Sequence, residues 1–275
     1  MAYSTFGTNE RTGWSDEDIL EGYLKYFTPV TDRIAETLVD RCQPSAQACL
    51  DLCCGQGNLT ALLVEAGGDV SGLDFSARML ELAAQRAPTA RLVESDAADM
   101  PFEDNVFDHV FCSFGMMHLP DQPAALREIA RVLMPGGRFT MATWEAPSRS
   151  PAFGTVFGAI RATADMSVAP AQPDLFAFTE PETAKAMLAE AGLKVIAHDI
   201  CLENWVFENP EDLWNTFLYG TVGAGMLIRS QSAEVQEAIA KQITQSVAEK
   251  FADDGVYRVP VPVVVVSAEA SLASS

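Results

Sequence analysis

The chain has 275 residues, 48% of them hydrophobic, which is enough for one large core or one domain with a cap. Its formal net charge of −20, from 38 acids against 18 bases, argues against a nucleic-acid substrate, because a phosphate backbone needs a basic surface. The longest apolar run, near Val259 to Val266, is too short to span a bilayer and contains two prolines.

Around Asn9, Glu10 and Arg11 there is no long apolar run, so no secretory leader is expected. Six scattered cysteines show no zinc-ligand spacing, and the chain reads as reduced and cytoplasmic. After Trp14, the run Ser15-Asp16-Glu17-Asp18 starts a helix over about residues 15–28, which carries Tyr23 and Tyr26. Leu50-Asp51-Leu52 then reads as the end of a buried parallel strand. The turn Cys53-Cys54-Gly55-Gln56-Gly57-Asn58 follows, and Leu59, Leu62, Leu63 and Ala66 recur at helical spacing. Such a strand–turn–helix is where nucleotide-binding folds hold a ligand. The dinucleotide fingerprint G-x-G-x-x-G lacks its third glycine here, since Asn58, Leu59 and Thr60 follow Gly57. Asp51 would also repel a pyrophosphate and suits a ligand bearing a cation.

Asp69 to Asp74 reads as a second strand ending in a carboxylate. Asp74 lies about 20 residues past the glycine loop, the spacing of an acid that bonds ribose hydroxyls. Ser76 is placed to cap the next helix, with Met79, Leu80 and Ala83 on its apolar face. A short strand at Arg91-Leu92-Val93 precedes Asp96 and Ala97. Phe107 to Ser113 is a mostly apolar fourth strand. Asp121 caps a helix through Leu133, which Pro135-Gly136-Gly137 stops, and Phe139 to Trp144 is a fifth strand.

Beyond Trp144 the pattern loosens. A helix starts near Pro151, with Phe153 and Phe157 on it. Thr179 to Glu182 fits a capping box for a helix ended by Gly192. Leu193 to Phe207 reads as one long strand, and Asn209-Pro210 opens a helix carrying Trp214, Phe217 and Tyr219. Ser232 begins an amphipathic helix through Phe251. The last strand runs near Val259 to Ser267, and Pro260 and Pro262 confine its start to a sheet edge.

Asp51 to Gly57 resembles motif I of the class I S-adenosylmethionine (SAM) methyltransferases, in the D-x-C-C-G variant familiar among relatives that methylate quinone rings. Cys53 stands where the family's first glycine falls, and a Cβ there narrows the backbone if φ is positive. Gly72 to Leu80 resembles motif II, Glu94 to Phe102 the adenine-contacting segment, and Leu126 to Trp144 the family's helix, L-x-P-G-G turn and strand. Residues 45–145 carry this resemblance.

The resemblance implies an α/β fold: a Rossmann-like seven-stranded sheet, mostly parallel with the last strand antiparallel, with helices on both faces and a helical cap. In a single domain over 1–275, the core would span about 30–145, 179–207 and 256–268, with cap insertions at 146–178 and 208–255. It implies SAM as cofactor. Asp51 would meet the methionine ammonium, Cys53, Gly55 and Gly57 would let the backbone approach, and Asp74 would take the ribose. Asp96 and Ala97 would meet the adenine, and Phe75, Met79 and Ser113 complete the set. Tyr23, on the N-terminal helix, would face the sulfonium as a cation.

The cap would enclose a small apolar or aromatic acceptor among Trp144, Phe153, Phe157, Trp214 and Tyr219. His118, following strand four, is the candidate base, while His109 and His198 read as structural. A SAM-binding regulator that does not methylate, and a nicotinamide dehydrogenase, are the competing readings. Oligomeric state is left open.

Overall fold

A computed structural model describes residues 3–271. Three helices come first: α1 (Ser4–Gly13), α2 (Glu17–Tyr26) and α3 (Thr28–Cys42). An alternating stretch follows, with β1 (Ala48–Leu52), α4 (Asn58–Glu65), β2 (Asp69–Asp74), α5 (Ala77–Arg86) and β3 (Arg91–Glu94). It continues through β4 (Phe107–Ser113), α6 (Gln122–Val132) and β5 (Leu133–Trp144). Then come α7 (Pro151–Thr163), α8 (Pro181–Glu190), β6 (Leu193–Cys201), β7 (Asn204–Phe207), α9 (Asp212–Gly220), α10 (Gly223–Arg229) and α11 (Ala233–Lys250). Two short strands, β8 (Ala252–Asp253) and β9 (Val256–Pro260), precede β10 (Val263–Ala270).

Side-chain caps explain several of these starts. Asp16 accepts from the N–H of Asp18 and Ile19, Ser76 from Met79, Asp121 from Ala124, and Ser232 from Val235. The capping box at Thr179 does not form. Its hydroxyl donates back to the Phe176 carbonyl at 2.8 Å, and α8 begins without a side-chain cap.

Seven strands form one sheet in the order β3-β2-β1-β4-β5-β10-β6. β10 runs antiparallel to both neighbours, and the other pairs are parallel. Both faces are covered. Val263 and Val265 join the core that contains Ile34 and Leu38 of α3. Val264 and Val266 join the core with Leu126 of α6 and Leu188 of α8. This alternation is the two-residue period of a strand buried on both sides.

Two expectations about the last strands are corrected. The last strand of the large sheet is internal, not an edge, because the prolines lie outside it. Pro260 ends β9, Pro262 precedes β10, and β10 itself donates freely along both ladders. Nor is 193–207 one strand. The chain breaks at Leu202, which is 82% exposed, and β7 pairs with β9 in a separate sheet ordered β7-β9-β8. Trp205 of β7 is buried and donates its indole N–H to the Tyr26 carbonyl at 2.9 Å, fastening this small sheet to α2. Helices α7, α9 and α11 pack on one another, and α9 on α2. No helix among the described residues is long and apolar enough to cross a membrane.

Candidate active site

The strand order reverses between β1 and β4, since β2 and β3 lie on one side and β5 on the other. Ligands of such sheets bind outside the carboxyl ends of the strands at that reversal. There the β1–α4 turn takes a left-handed backbone at Cys53 (φ 56°), Gly55 (φ 53°) and Gly57 (φ 80°). Cys53 is the non-glycine among them, which costs about 1–2 kcal/mol for an L-residue. Its neighbour across the reversal explains how it fits. A Cβ on Gly115 would stand 2.5 Å from the Cys53 Cβ and 2.7 Å from Cys112 Sγ, so glycine at 115 makes room for the cysteine at 53. The neighbouring Cys112 thiol and desolvation both raise the pKa of the half-buried Cys53 well above the ordinary thiol range. It stays protonated at neutral pH and is no nucleophile.

Asp74 closes the turn from the neighbouring strand. Its Oδ2 accepts from the Gly55 N–H and its Oδ1 from the Ser76 N–H, both at 2.9 Å. Burial raises its pKa, opposed by these bonds. A carboxylate oxygen can accept more than one bond, and Asp74 lines the cavity, so it keeps acceptor capacity for a ligand there. Beside it, Phe75, Asp96 and Ala97 shape a small crevice that shares Cys53, Asp74 and His118 with the main cavity. Asp96 accepts from the Ala98 N–H at 2.9 Å and pairs with Arg11, which also lies over the Phe75 ring at 5.2 Å.

Helix α1 supplies residues that the sequence did not signal. Glu10 is 4% exposed, and its Oε2 lies 2.8 Å from His118 Nδ1 and 3.0 Å from Trp14 Nε1. The segment Ser4–Gly13 is largely polar and has no side-chain cap, so only its tertiary contacts give it a role. Trp14 meets both Tyr23 and His118 edge-on, at 5.1 and 5.3 Å. Burial pushes the Tyr23 phenol up to about 12, so it stays neutral.

From this floor a cavity of about 340 Å³ runs between the sheet and the overlying helices. Tyr23, Cys53, Gly55, Phe75, Met79, Ser113, His118, Trp144, Phe153 and Phe157 all lie on its wall. Ser113 Oγ is buried there without a protein partner, a group that a ligand could satisfy.

Asp96 and Ala97 line only the crevice, and four expected residues line neither it nor the cavity. Asp51 is 1% exposed and turns toward α4, where it accepts the Thr60 hydroxyl at 2.7 Å. Gly57 serves helix packing, because a Cβ there would stand 2.8 Å from the Ala83 Cα of α5. On α9 the inward residues are Leu213 and Phe217. Trp214 packs beside the core without reaching the cavity, and Tyr219, two residues past Phe217, is 47% exposed.

Burial pushes the Asp51 carboxyl up to about 7, partly offset by its Thr60 bond. The folded state therefore holds this proton more tightly than the unfolded chain. Stability from Asp51 is fullest below an unfolded value of about 4 and falls as pH rises toward 7. Asp51→Asn keeps an acceptor for Thr60, and its gain in melting temperature over the natural chain should grow between pH 5 and pH 8. A pH-independent difference in thermal melts would contradict this assignment.

Comparison with known proteins agrees with this geometry. Residues 50–141 match the family described as "Methyltransferase domain". Demethylmenaquinone methyltransferase of Staphylococcus aureus (strain JH9) is 36% identical over 160 residues, covering 52% of this chain and 66% of the relative. The chain thus spans just under two thirds of the length of the curated relatives it matches. Among solved structures, the YcgJ protein of Bacillus subtilis aligns at 17% identity over 86% of this chain and 97% of its own, with a TM-score of 0.58. The [4+2]-cyclase SpnF aligns at 18% identity over 88% of this chain and 82% of its own, with a TM-score of 0.52. Residues 50–141 thus match the methyltransferase domain family, and the chain shares its Rossmann-like seven-stranded fold with these solved structures.

Proposed function

We propose that the chain transfers the methyl group of SAM to a small, mainly apolar aromatic acceptor. The observation that carries this reading is the placing of Asp74. Backbone N–H groups hold both of its oxygens at a strand tip, leaving lone pairs for vicinal ribose hydroxyls, while an aromatic cavity opens beside it. The unpartnered Ser113 Oγ and the left-handed turn at Cys53 and Gly55 fit a ligand that approaches the backbone closely. The name of the Staphylococcus aureus relative supports a ring acceptor of quinone type. A cyclase on the same fold is the reason to test the reaction rather than assume it from the fold. Six free cysteines support a reducing, cytoplasmic setting.

Bound SAM would supply a methyl group on a sulfonium, open to in-line displacement. The protein's part is then orientation and exclusion of water, which in well-oriented systems is worth up to about 7–11 kcal/mol. Asp74 would orient the ribose, and Asp96 with the Ala97 N–H the adenine. The Trp14 and Tyr23 rings would border the positive centre. Glu10 would hold His118 with its Nδ1–H donated to the carboxylate. Nε2 is then free to take a proton from an acceptor hydroxyl.

Asp74→Asn should weaken S-adenosylhomocysteine about tenfold or more in calorimetric titration while melting cooperatively, since a hydrogen bond to a charged group contributes about 1.5–3 kcal/mol. Unchanged affinity would remove Asp74 from the site. With labelled SAM and a panel of phenols, naphthols and hydroquinones, His118→Ala should lower turnover by about 10²–10⁴-fold without changing cofactor affinity. Glu10→Gln should fall between the two. Equal turnover in all three proteins would make His118 structural. Cofactor binding with no methyl transfer to any acceptor would favour a non-catalytic SAM binder.

A further inference from the structure

The cavity wall carries its charges unevenly. Its acids, Glu10 and Asp74, lie at the strand ends, beside His118. Its arginine, Arg161, lies on α7. Arg131 and Arg149 are each tied to two carboxylates. Among the described residues Arg161 has no acidic partner. The acid within one helical turn of it, Asp165, is turned to the Ser167 N–H at 2.9 Å. Arg91, Arg127, Arg138 and Arg229 likewise lack an acidic partner, but Arg161 is the arginine on this mainly apolar wall, and it is solvent-exposed, which places its guanidinium at the rim of the cavity.

Its position along the cavity follows from helix geometry. Phe153, Phe157 and Arg161 are spaced at four residues and share one face of α7. At 1.5 Å per residue, Arg161 lies about 12 Å along the helix from Phe153. Phe153 is the inner end of this row, because its ring packs on Trp144 at 5.7 Å. Trp144 in turn stacks on Phe114 at 4.1 Å, next to Ser113 at the end of β4. Phe217 meets Phe153 and Phe157 edge-on at 5.1 and 6.0 Å, and Phe176 meets them edge-on at 5.9 and 6.3 Å. The result is an aromatic slot leading outward from the strand ends to a single cation.

Building on the methyltransferase reading, we infer that the acceptor is an elongated aromatic molecule with an anionic substituent, a carboxylate or sulfonate, which Arg161 holds at the outer end of the slot. The planar guanidinium fork matches such groups with two parallel hydrogen bonds. The aromatic edges grip a flat body between them. A neutral aromatic of the same shape would fill the slot without engaging the solvent-exposed guanidinium.

Two probes with one aromatic body separate these terms. 8-Anilinonaphthalene-1-sulfonate carries the anion, and N-phenyl-1-naphthylamine lacks it. By fluorescence titration, the natural chain should bind one sulfonate probe per chain, more tightly than the neutral one. Arg161→Gln should weaken the sulfonate probe about tenfold or more and leave the neutral probe unchanged, given the strength of a charge-assisted hydrogen bond. Arg161→Lys should retain part of the difference. The inference is overturned if Arg161→Gln binds the sulfonate as well as the natural chain does, if both probes weaken together, or if no saturable binding is seen. S-adenosylhomocysteine titration of the natural chain reads the methyltransferase reading separately, so either idea can fail while the other stands.

Discussion

One hydrogen bond organises the rest of the site: the Gly55 backbone N–H to the Asp74 side-chain carboxylate. It ties the turn after β1 to the tip of β2, and the turn can meet it only by taking left-handed angles at Cys53, Gly55 and Gly57. Gly55 faces open space, but the other two need room from a neighbour. Gly57 uses it to seat α4 against α5, and Cys53 finds it opposite Gly115. The ends of three strands, β1, β2 and β4, are thereby locked around one point. A strained cysteine at the centre of a ligand turn survives because the surrounding packing over-determines it.

The electrostatics follow from the same geometry. The chain is strongly acidic, yet its two central carboxylates are buried and have raised pKa values, Asp51 through desolvation against Thr60 and Asp74 through desolvation against its N–H bonds. A low-dielectric floor of this kind suits a cationic ligand group, because its charge would favour the ionised carboxylates. Above the floor the wall becomes aromatic, and the charge changes sign only at Arg161. The two ends of the cavity thus differ in chemistry as well as in position.

The first five strands and the Asp74 site were legible because local turn chemistry and strand burial coincide there. Ser76 and Asp121 cap as their residue types imply, and the acid spacing after the glycine loop places Asp74 on the cavity wall. Helix α1 was not legible, since Glu10 gains its place in the site from His118, 108 residues away in sequence. For Asp51 the motif fixes the position of the residue and not the direction of its side chain, and Thr60 in the first turn of α4 donates to one of its oxygens. The stretch 193–207 concealed its break because Leu202 reads as apolar strand while standing in solvent. Of the aromatics on α9, helical phase selects Phe217 for the cavity and turns Tyr219 outward, a choice settled by packing against α7.

The central claim is that the cavity beside Asp74 is a cofactor site opening into an acceptor slot. The most direct test is a crystal structure with S-adenosylhomocysteine bound. The account requires the ribose hydroxyls to lie within about 2.5–3.0 Å of the Asp74 oxygens, the usual range for such bonds, with the sulfur turned toward Trp144 and Phe153. A ribose placed away from Asp74, or a sulfur pointing away from the aromatic slot, would contradict it.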